Sequence, residues 1–165
     1  METQEFDKFA RDYDALLQDP FRDRFMGAET EFFHVRKRDL IRKIARTWKR
    51  PARDLHYLDV GCGRGELLKL LAPDFGYAAG CDPSAEMLAS LASSAVEMRQ
   101  QIDPVVLPFA SASFDFVTAV CVYHHVPPQE RAALTREIAR VMRPGGVFCM
   151  IEHNPYNPVT RAVVR

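Results

Sequence analysis

Over the first fifty residues the apolar positions recur at helical spacing. Phe6, Phe9, Tyr13, Leu16 and Leu17 form one series, closed by Asp19-Pro20. In "ETEFFHVRKRDLIRKIARTWKR" a second series, Phe33, Leu40, Ile41, Ile44 and Trp48, falls on one face of a helix. Arg36, Lys37, Arg38, Arg42, Lys43, Arg46, Lys49 and Arg50 crowd the remainder. From Leu55 the period changes. Strand "LHYLDV" leads to a helix from Arg64 to Leu71, strand "GYAAGC" to helix "SAEMLASLA", and then come strands "VEMRQQI" and "FDFVTAVCV". A helix from Pro128 to Met142 and strand "VFCMIE" complete the series, with Pro127-Pro128 pre-setting the helix's first turn and "RPGG" stopping it. Such alternation predicts an α/β fold, a mainly parallel sheet with helices on both faces.

Composition narrows the reading. At 165 residues and 47% hydrophobic content the chain has material for one globular core. Lys plus Arg and Asp plus Glu each total 22, so bulk charge gives no argument for a nucleic-acid partner, and none is expected. Cys62, Cys81, Cys121 and Cys149 lack ligand spacing and sit in or beside apolar runs, so they read as small buried thiols in a reducing compartment, with no metal site. No apolar run approaches a membrane span, and the acidic N-terminus lacks a signal peptide's apolar middle. The expected location is cytoplasmic.

The chemistry gathers at "YLDVGCGRGELLKLL". Gly61, Gly63 and Gly65 follow the first strand, where ligands of open parallel sheets bind, and they let a ligand lie against the backbone. The start of the next helix offers N–H groups to an anion. A dinucleotide turn wants glycine at the sixth position of GxGxxG, whereas here that position is Glu66. Asp59, just before the turn, is also outside that pattern. Asp82, ending the second strand in "GCDPS", reads either as a turn residue or, in register with the glycines, as an acceptor for both ribose hydroxyls; the second is preferred.

Taken in order, "LDVGCGRGELL", "GCDPSAEML", "LPFASASFDFV", "HHVP" and "EIARVMRPGG" resemble the class I S-adenosylmethionine-dependent methyltransferases, in particular the small-molecule, methyltransferase type 11-like group. The match runs from about Leu55 to Glu152 and implies a Rossmann-like, doubly wound fold. It divides one globular domain into a helical lid segment, 1–54, and a cofactor-binding core, 55–165. It implies that Asp59, Gly61, Cys62, Gly63 and Gly65 hold the methionine end of S-adenosylmethionine, with S-adenosylhomocysteine as product. Asp82 would take the ribose, with Pro83 and Met87 beside it, and Cys121 would line the same pocket. Asp103 would accept from the adenine amino group. Relatives follow that Asp with a backbone N–H donor to adenine; Pro104 has none, so either the ring is held differently or the register around Ile102 is shifted.

Methyl transfer from a sulfonium is an in-line displacement, dominated by placement of the acceptor. Tyr123, His124 and His125 follow the fourth strand and are expected beside the substrate, with His124 and His125 as the candidate bases for a hydroxyl acceptor. Packing is the competing role for these histidines. Tyr13 reads equally as a lid contact on the cofactor and as core packing. "NPYNP" follows the fifth strand, so it reads as turn chemistry at the acceptor mouth instead of a DNA amino-methylation motif. The basic helix of 36–50 reads as a solvated face or as a peripheral contact with an anionic membrane.

Class I relatives carry two further strands beside the fifth, and the chain stops at Arg165. Strand "VFCMIE" would then expose an apolar edge. A fragment of a longer protein is the favoured explanation, over a shortened form or an edge completed by a partner or a second copy, as in a homo-oligomer. The leading function is methyl transfer to a small, lipid-linked or natural-product acceptor. The alternatives are a non-catalytic S-adenosylmethionine-binding module acting through a protein partner and, disfavoured by Glu66, a nicotinamide-dependent oxidoreductase.

Overall fold

A computed structural model describes residues 30–47, 50–89 and 96–152. The expectations for Phe6 to Leu17, Tyr13, Trp48, Lys49 and "NPYNP" lie outside the described residues. The elements in chain order are α1 (Thr30–Ala45), β1 (His56–Val60), α2 (Glu66–Leu71), β2 (Tyr77–Asp82), α3 (Ala85–Ala89), β3 (Glu97–Gln100), β4 (Phe114–Val120), α4 (Arg131–Val141) and β5 (Met142–Ile151). Short 3-10 turns at Ala52–Asp54 and Ala72–Asp74 lead into β1 and β2.

All four strand pairings are parallel, in the order β3-β2-β1-β4-β5. The central strands are buried on both faces, as a parallel sheet covered by helices requires. One core contains Leu58, Val60, Val117 and Ala119 with Leu134, Ile138 and Val141 of α4. The other contains Tyr57, Phe116, Leu67, Leu68 and Leu71 with Ile41 and Ala45 of α1. Tyr57 stacks on Phe75 with ring centroids 4.7 Å apart. The expected α/β sheet is present, with every expected strand from β1 to β5.

Several features differ from the sequence pattern, among them the start of α2 at Glu66 in place of Arg64. "RPGG" does stop α4, but it belongs to β5: Phe114 pairs with Met142 and Phe116 with Val147, so these residues form a bulge with Gly145 at φ +80°. The last helix begins at Arg131, because Pro127 and Pro128 are used in a separate turn closed by Glu130 N–H to Pro127 O at 2.8 Å. On α1 the buried stripe is narrower than the apolar pattern implied. Phe33 and Leu40 are exposed, while Ile41 and Ala45 are buried and Lys37 continues their line at a spacing of four. Of the thiols, Cys62 and Cys81 are buried, but Cys121 and Cys149 are half-buried, since they lie at a strand end and on an edge strand.

Asp115 fastens the amino ends of the strands. Its Oδ2 accepts from His56 N–H at 2.9 Å and Arg143 Nη1 at 2.6 Å, and its Oδ1 accepts from Arg50 Nη1 at 2.9 Å.

Candidate functional site

At the opposite, carboxyl ends of β1, β2 and β4 the chain makes the turn that the glycines promised. Gly61, Gly63 and Gly65 all have positive φ, at +67°, +54° and +70°. Two of them are required for different reasons. A Cβ on Gly61 would lie 2.5 Å from Val122 Cγ2, so the loop after β4 presses on it. A Cβ on Gly63 would meet nothing within 4 Å, so it borders open space. Cys62 N–H to Cys81 O at 3.0 Å and Gly65 N–H to Cys62 O at 2.8 Å tie the turn down. The Cys62 side chain turns into the core against Leu68, and only its backbone lines the turn.

Asp82, buried at the end of β2, makes the turn contact that "DPS" suggests and is also tied to the glycine turn. Its Oδ1 accepts from Ser84 N–H at 2.9 Å, a turn contact, and its Oδ2 accepts from Gly63 N–H at 2.8 Å, which locks the glycine turn to the end of β2. Pro83 and Met87 stand half-buried beside it, and Ser84 Oγ accepts from Met87 N–H at 3.2 Å to start α3.

Asp59 is buried opposite Thr118 of β4. Thr118 donates to its Oδ1 at 2.7 Å, and Tyr57 OH lies 2.8 Å from the same hydroxyl. Burial in this neutral setting raises the Asp59 carboxyl to about 7; the nearby Asp82 charge adds to the rise, while Thr118 and Lys37 oppose it. The arrangement therefore holds a carboxyl near neutrality, able to take up charge when a cation arrives.

Across the strand gap, Cys121 ends β4 in a left-handed conformation, φ +60°, with its N–H on Ile151 O at 2.7 Å. This non-glycine residue bends the chain sharply toward Tyr123, His124 and His125. Lys37 Nζ of α1 approaches Cys121 Sγ at 3.6 Å. Burial raises the Cys121 thiol, with the Lys37 charge opposing.

The loop after β4 is organised by Glu152. One of its oxygens accepts from Val122 N–H at 2.9 Å and Tyr123 N–H at 2.7 Å, and the other lies 2.8 Å from His124 Nδ1. The His124 and His125 rings are 3.9 Å apart, both exposed, and Tyr123 OH meets Thr135 Oγ1 at 2.8 Å. Thr118, Lys37 and Glu152 are not singled out by the sequence. A lysine within the buried stripe of α1 is the available signal for Lys37; Thr118 and Glu152 offer none.

Asp103 and Pro104 stand exposed after β3. Asp103 Oδ1 accepts from Val105 N–H at 2.9 Å and Pro104 O accepts from Gln101 Nε2 at 2.9 Å, while Ile102 projects outward. This is an ordinary turn, and its proline has no N–H to give.

A cavity of about 360 Å³ opens elsewhere, between His56, Tyr77, Arg99, Phe114 and Arg143. Apart from Arg99 of β3, these residues belong to the amino ends of the strands, and none is in the glycine turn. Its arginines are committed: Arg143 to Asp115, and Arg99 to Glu97 at 2.5 Å.

A parallel sheet in this order, with a left-handed glycine turn over open space and buried carboxylates on β1 and β2, defines a nucleoside-binding Rossmann-like domain. Residues 58–150 match the family described as methyltransferase domain. The chain is 33% identical over 142 residues to the human thiol S-methyltransferase TMT1A, covering 81% of this chain and 56% of that protein. It is 32% identical over 171 aligned positions to the demethylmenaquinone methyltransferase of Symbiobacterium thermophilum, covering 94% and 61%. The crystal structure of YcgJ from Bacillus subtilis superposes with a TM-score of 0.64 at 27% identity, covering 79% of this chain and 56% of that one. The chain thus spans little more than half the length of these relatives. It belongs to the class I S-adenosylmethionine-dependent methyltransferase family, and S-adenosylmethionine is the cofactor of that family. No helix among the described residues is long and apolar enough to cross a membrane.

Proposed function

We propose that this chain transfers a methyl group from S-adenosylmethionine to a small acceptor held over the carboxyl ends of β1 and β4. The observation that carries the reading is the left-handed turn at Gly63, open where a side chain would stand and tied to the buried Asp82. Bound there, the cofactor supplies an electrophilic methyl group on a sulfonium. Backbone at Gly61, Cys62, Gly63 and Gly65 would receive its methionine end, Asp59 its ammonium, and Asp82 the ribose hydroxyls. Pro83, Met87 and Cys121 would line the same space. Asp103 and Pro104 give the adenine side a looser hold, from the Asp103 carboxylate and apolar contact, since Pro104 offers no N–H.

The acceptor side falls to Tyr123, His124 and His125. The Glu152 carboxylate, 2.8 Å from His124 Nδ1, fixes the orientation of the ring that would face the acceptor. The relatives' names include thiol and menaquinone methylation, so a soft thiol or an activated ring is the favoured acceptor class. Peripheral membrane contact is a weaker proposal. Arg42 is held by Asp74 and Arg50 by Asp115, and Lys43 and Arg46 remain exposed for an anionic surface. Equal co-sedimentation with anionic and neutral vesicles would remove it.

Calorimetric titration with S-adenosylmethionine and S-adenosylhomocysteine tests the central reading. Micromolar binding, abolished in Asp82→Ala, is expected; a folded chain that binds neither ligand overturns it. Turnover is then read by mass spectrometry against thiols and quinols. Binding without transfer to any acceptor would favour the module acting through a protein partner.

A further inference from the structure

Among the described residues, Lys37 is a cation that the fold brings to the site without giving it an anion. On α1 it shares the inward stripe with Ile41 and Ala45, both buried, so its stem runs along the body of the domain. The ammonium ends 3.6 Å from Cys121 Sγ, at the carboxyl end of β4. Its charge also acts on Asp59 at the end of β1 and on His34, which in turn feels Glu66 at the start of α2. Asp59 and Glu66 flank the glycine turn in the chain, before Gly61 and after Gly65.

The contrast with the other cations is direct. Arg42 holds Asp74 at 2.6 Å, Arg50 holds Asp115 at 2.9 Å and Arg140 holds Glu137 at 2.7 Å. Among the described residues no carboxylate lies within ion-pair distance of Lys37 Nζ, and its hydrogen-bond partner is a thiol, a weak acceptor for a group with three N–H donors. A half-buried ammonium left this way lacks the compensation that burial of charge demands.

We propose that Lys37 is the binding residue for the α-carboxylate of the cofactor's methionine end, a role that rests on the cofactor reading above. The cofactor brings one carboxylate and one ammonium to this turn. Lys37 of α1 and Asp59 of β1 offer the complementary pair. Two consequences follow from the geometry. α1 is part of the cofactor site and not merely packing on the core, and ligands are selected by whether they carry the carboxylate.

The test compares S-adenosylhomocysteine with 5′-methylthioadenosine, which keeps the adenine, ribose and thioether but lacks the amino-acid end. Both are titrated into the full wild-type chain, Lys37→Met and Lys37→Arg. Because only S-adenosylhomocysteine can make the charge-assisted hydrogen bond to Lys37, its binding should weaken about tenfold or more in Lys37→Met. Binding of 5′-methylthioadenosine should stay within about twofold, and Lys37→Arg should regain most of the loss. Equal weakening of both ligands, or no weakening of either, overturns the assignment while leaving the cofactor reading intact. Wild-type chain that binds neither ligand overturns the cofactor reading itself, and this proposal with it.

Discussion

Two buried aspartates mark opposite ends of the same strand pair, and their surroundings differ sharply. Asp115, at the amino end of β4, receives a backbone N–H and two guanidinium groups. Burial alone would raise its carboxyl, but His56 N–H, Arg143 and Arg50 outweigh that and hold it below the usual range. Asp59, near the carboxyl end of β1, has a threonine hydroxyl, and burial lifts it to about 7. At one end the fold closes its own charge; at the other stand a carboxyl held by a hydroxyl, an ammonium held by a thiol and an open glycine turn. The first end therefore serves stability, and under the proposed function the second serves binding, at a cost to stability.

The largest effect should come from opening the closed end. Asp115→Ala leaves two guanidinium groups and a strand N–H without their acceptor. Breaking a buried pair costs about 3–5 kcal/mol, and the partial exposure of Arg50 and Arg143 argues for the low end, about 3 kcal/mol. Urea unfolding should show this loss, with cofactor affinity unchanged in whatever fraction is folded. A loss under about 1 kcal/mol would mean that the two ends do not differ as argued.

Asp59→Asn should act in the opposite direction, and only at the higher pH. An unfolded aspartate titrates near 4, the folded Asp59 at about 7. Between those values the native state holds more protons than the unfolded one, so stability falls as pH rises through this window. About three pH units correspond to about 4 kcal/mol as an upper bound, and relaxation of the site reduces this to about 2 kcal/mol. The asparagine variant should therefore be about 2 kcal/mol more stable than wild type at about pH 8, and equal to it within about 1 kcal/mol at about pH 4. The same gain at both pH values would show that the carboxyl does not titrate in this window.

The difference between the ends is only half legible in the sequence. The glycine turn, Asp59 and Asp82 are local signals: "LDVGCGRG" and "GCDPS" put chemistry at strand ends, where the parallel fold gives it meaning. The partners of Asp115 are invisible there because Arg50, His56 and Arg143 are joined to it across 65, 59 and 28 positions of chain. Thr118 and Glu152 are hidden for the same reason: each acts through the register of β4 with its neighbours, which periodicity does not encode. Lys37 is legible only in part: it falls four positions after Phe33 and four before Ile41, on the apolar side of the helix, but its charge groups it with the basic residues. With Phe33 and Leu40 exposed, the stripe that α1 turns inward is Lys37, Ile41 and Ala45.

The smallest stability effect sharpens the comparison most, because it separates binding from folding within one turn. Gly61→Ala is a poor probe: the new Cβ would stand 2.5 Å from Val122, so overlap adds to the strain of its positive φ. Gly63→Ala adds only the strain, about 1 kcal/mol for a left-handed alanine, since no heavy atom lies within 4 Å of the new methyl group. If the space over Gly63 belongs to a ligand, that methyl group should lower S-adenosylhomocysteine affinity by about tenfold or more while the unfolding free energy drops by about 1 kcal/mol. Calorimetry and urea unfolding on the same preparation measure both. An affinity that holds at the wild-type value would place the ligand elsewhere and leave the turn as a structural device tied to Asp82.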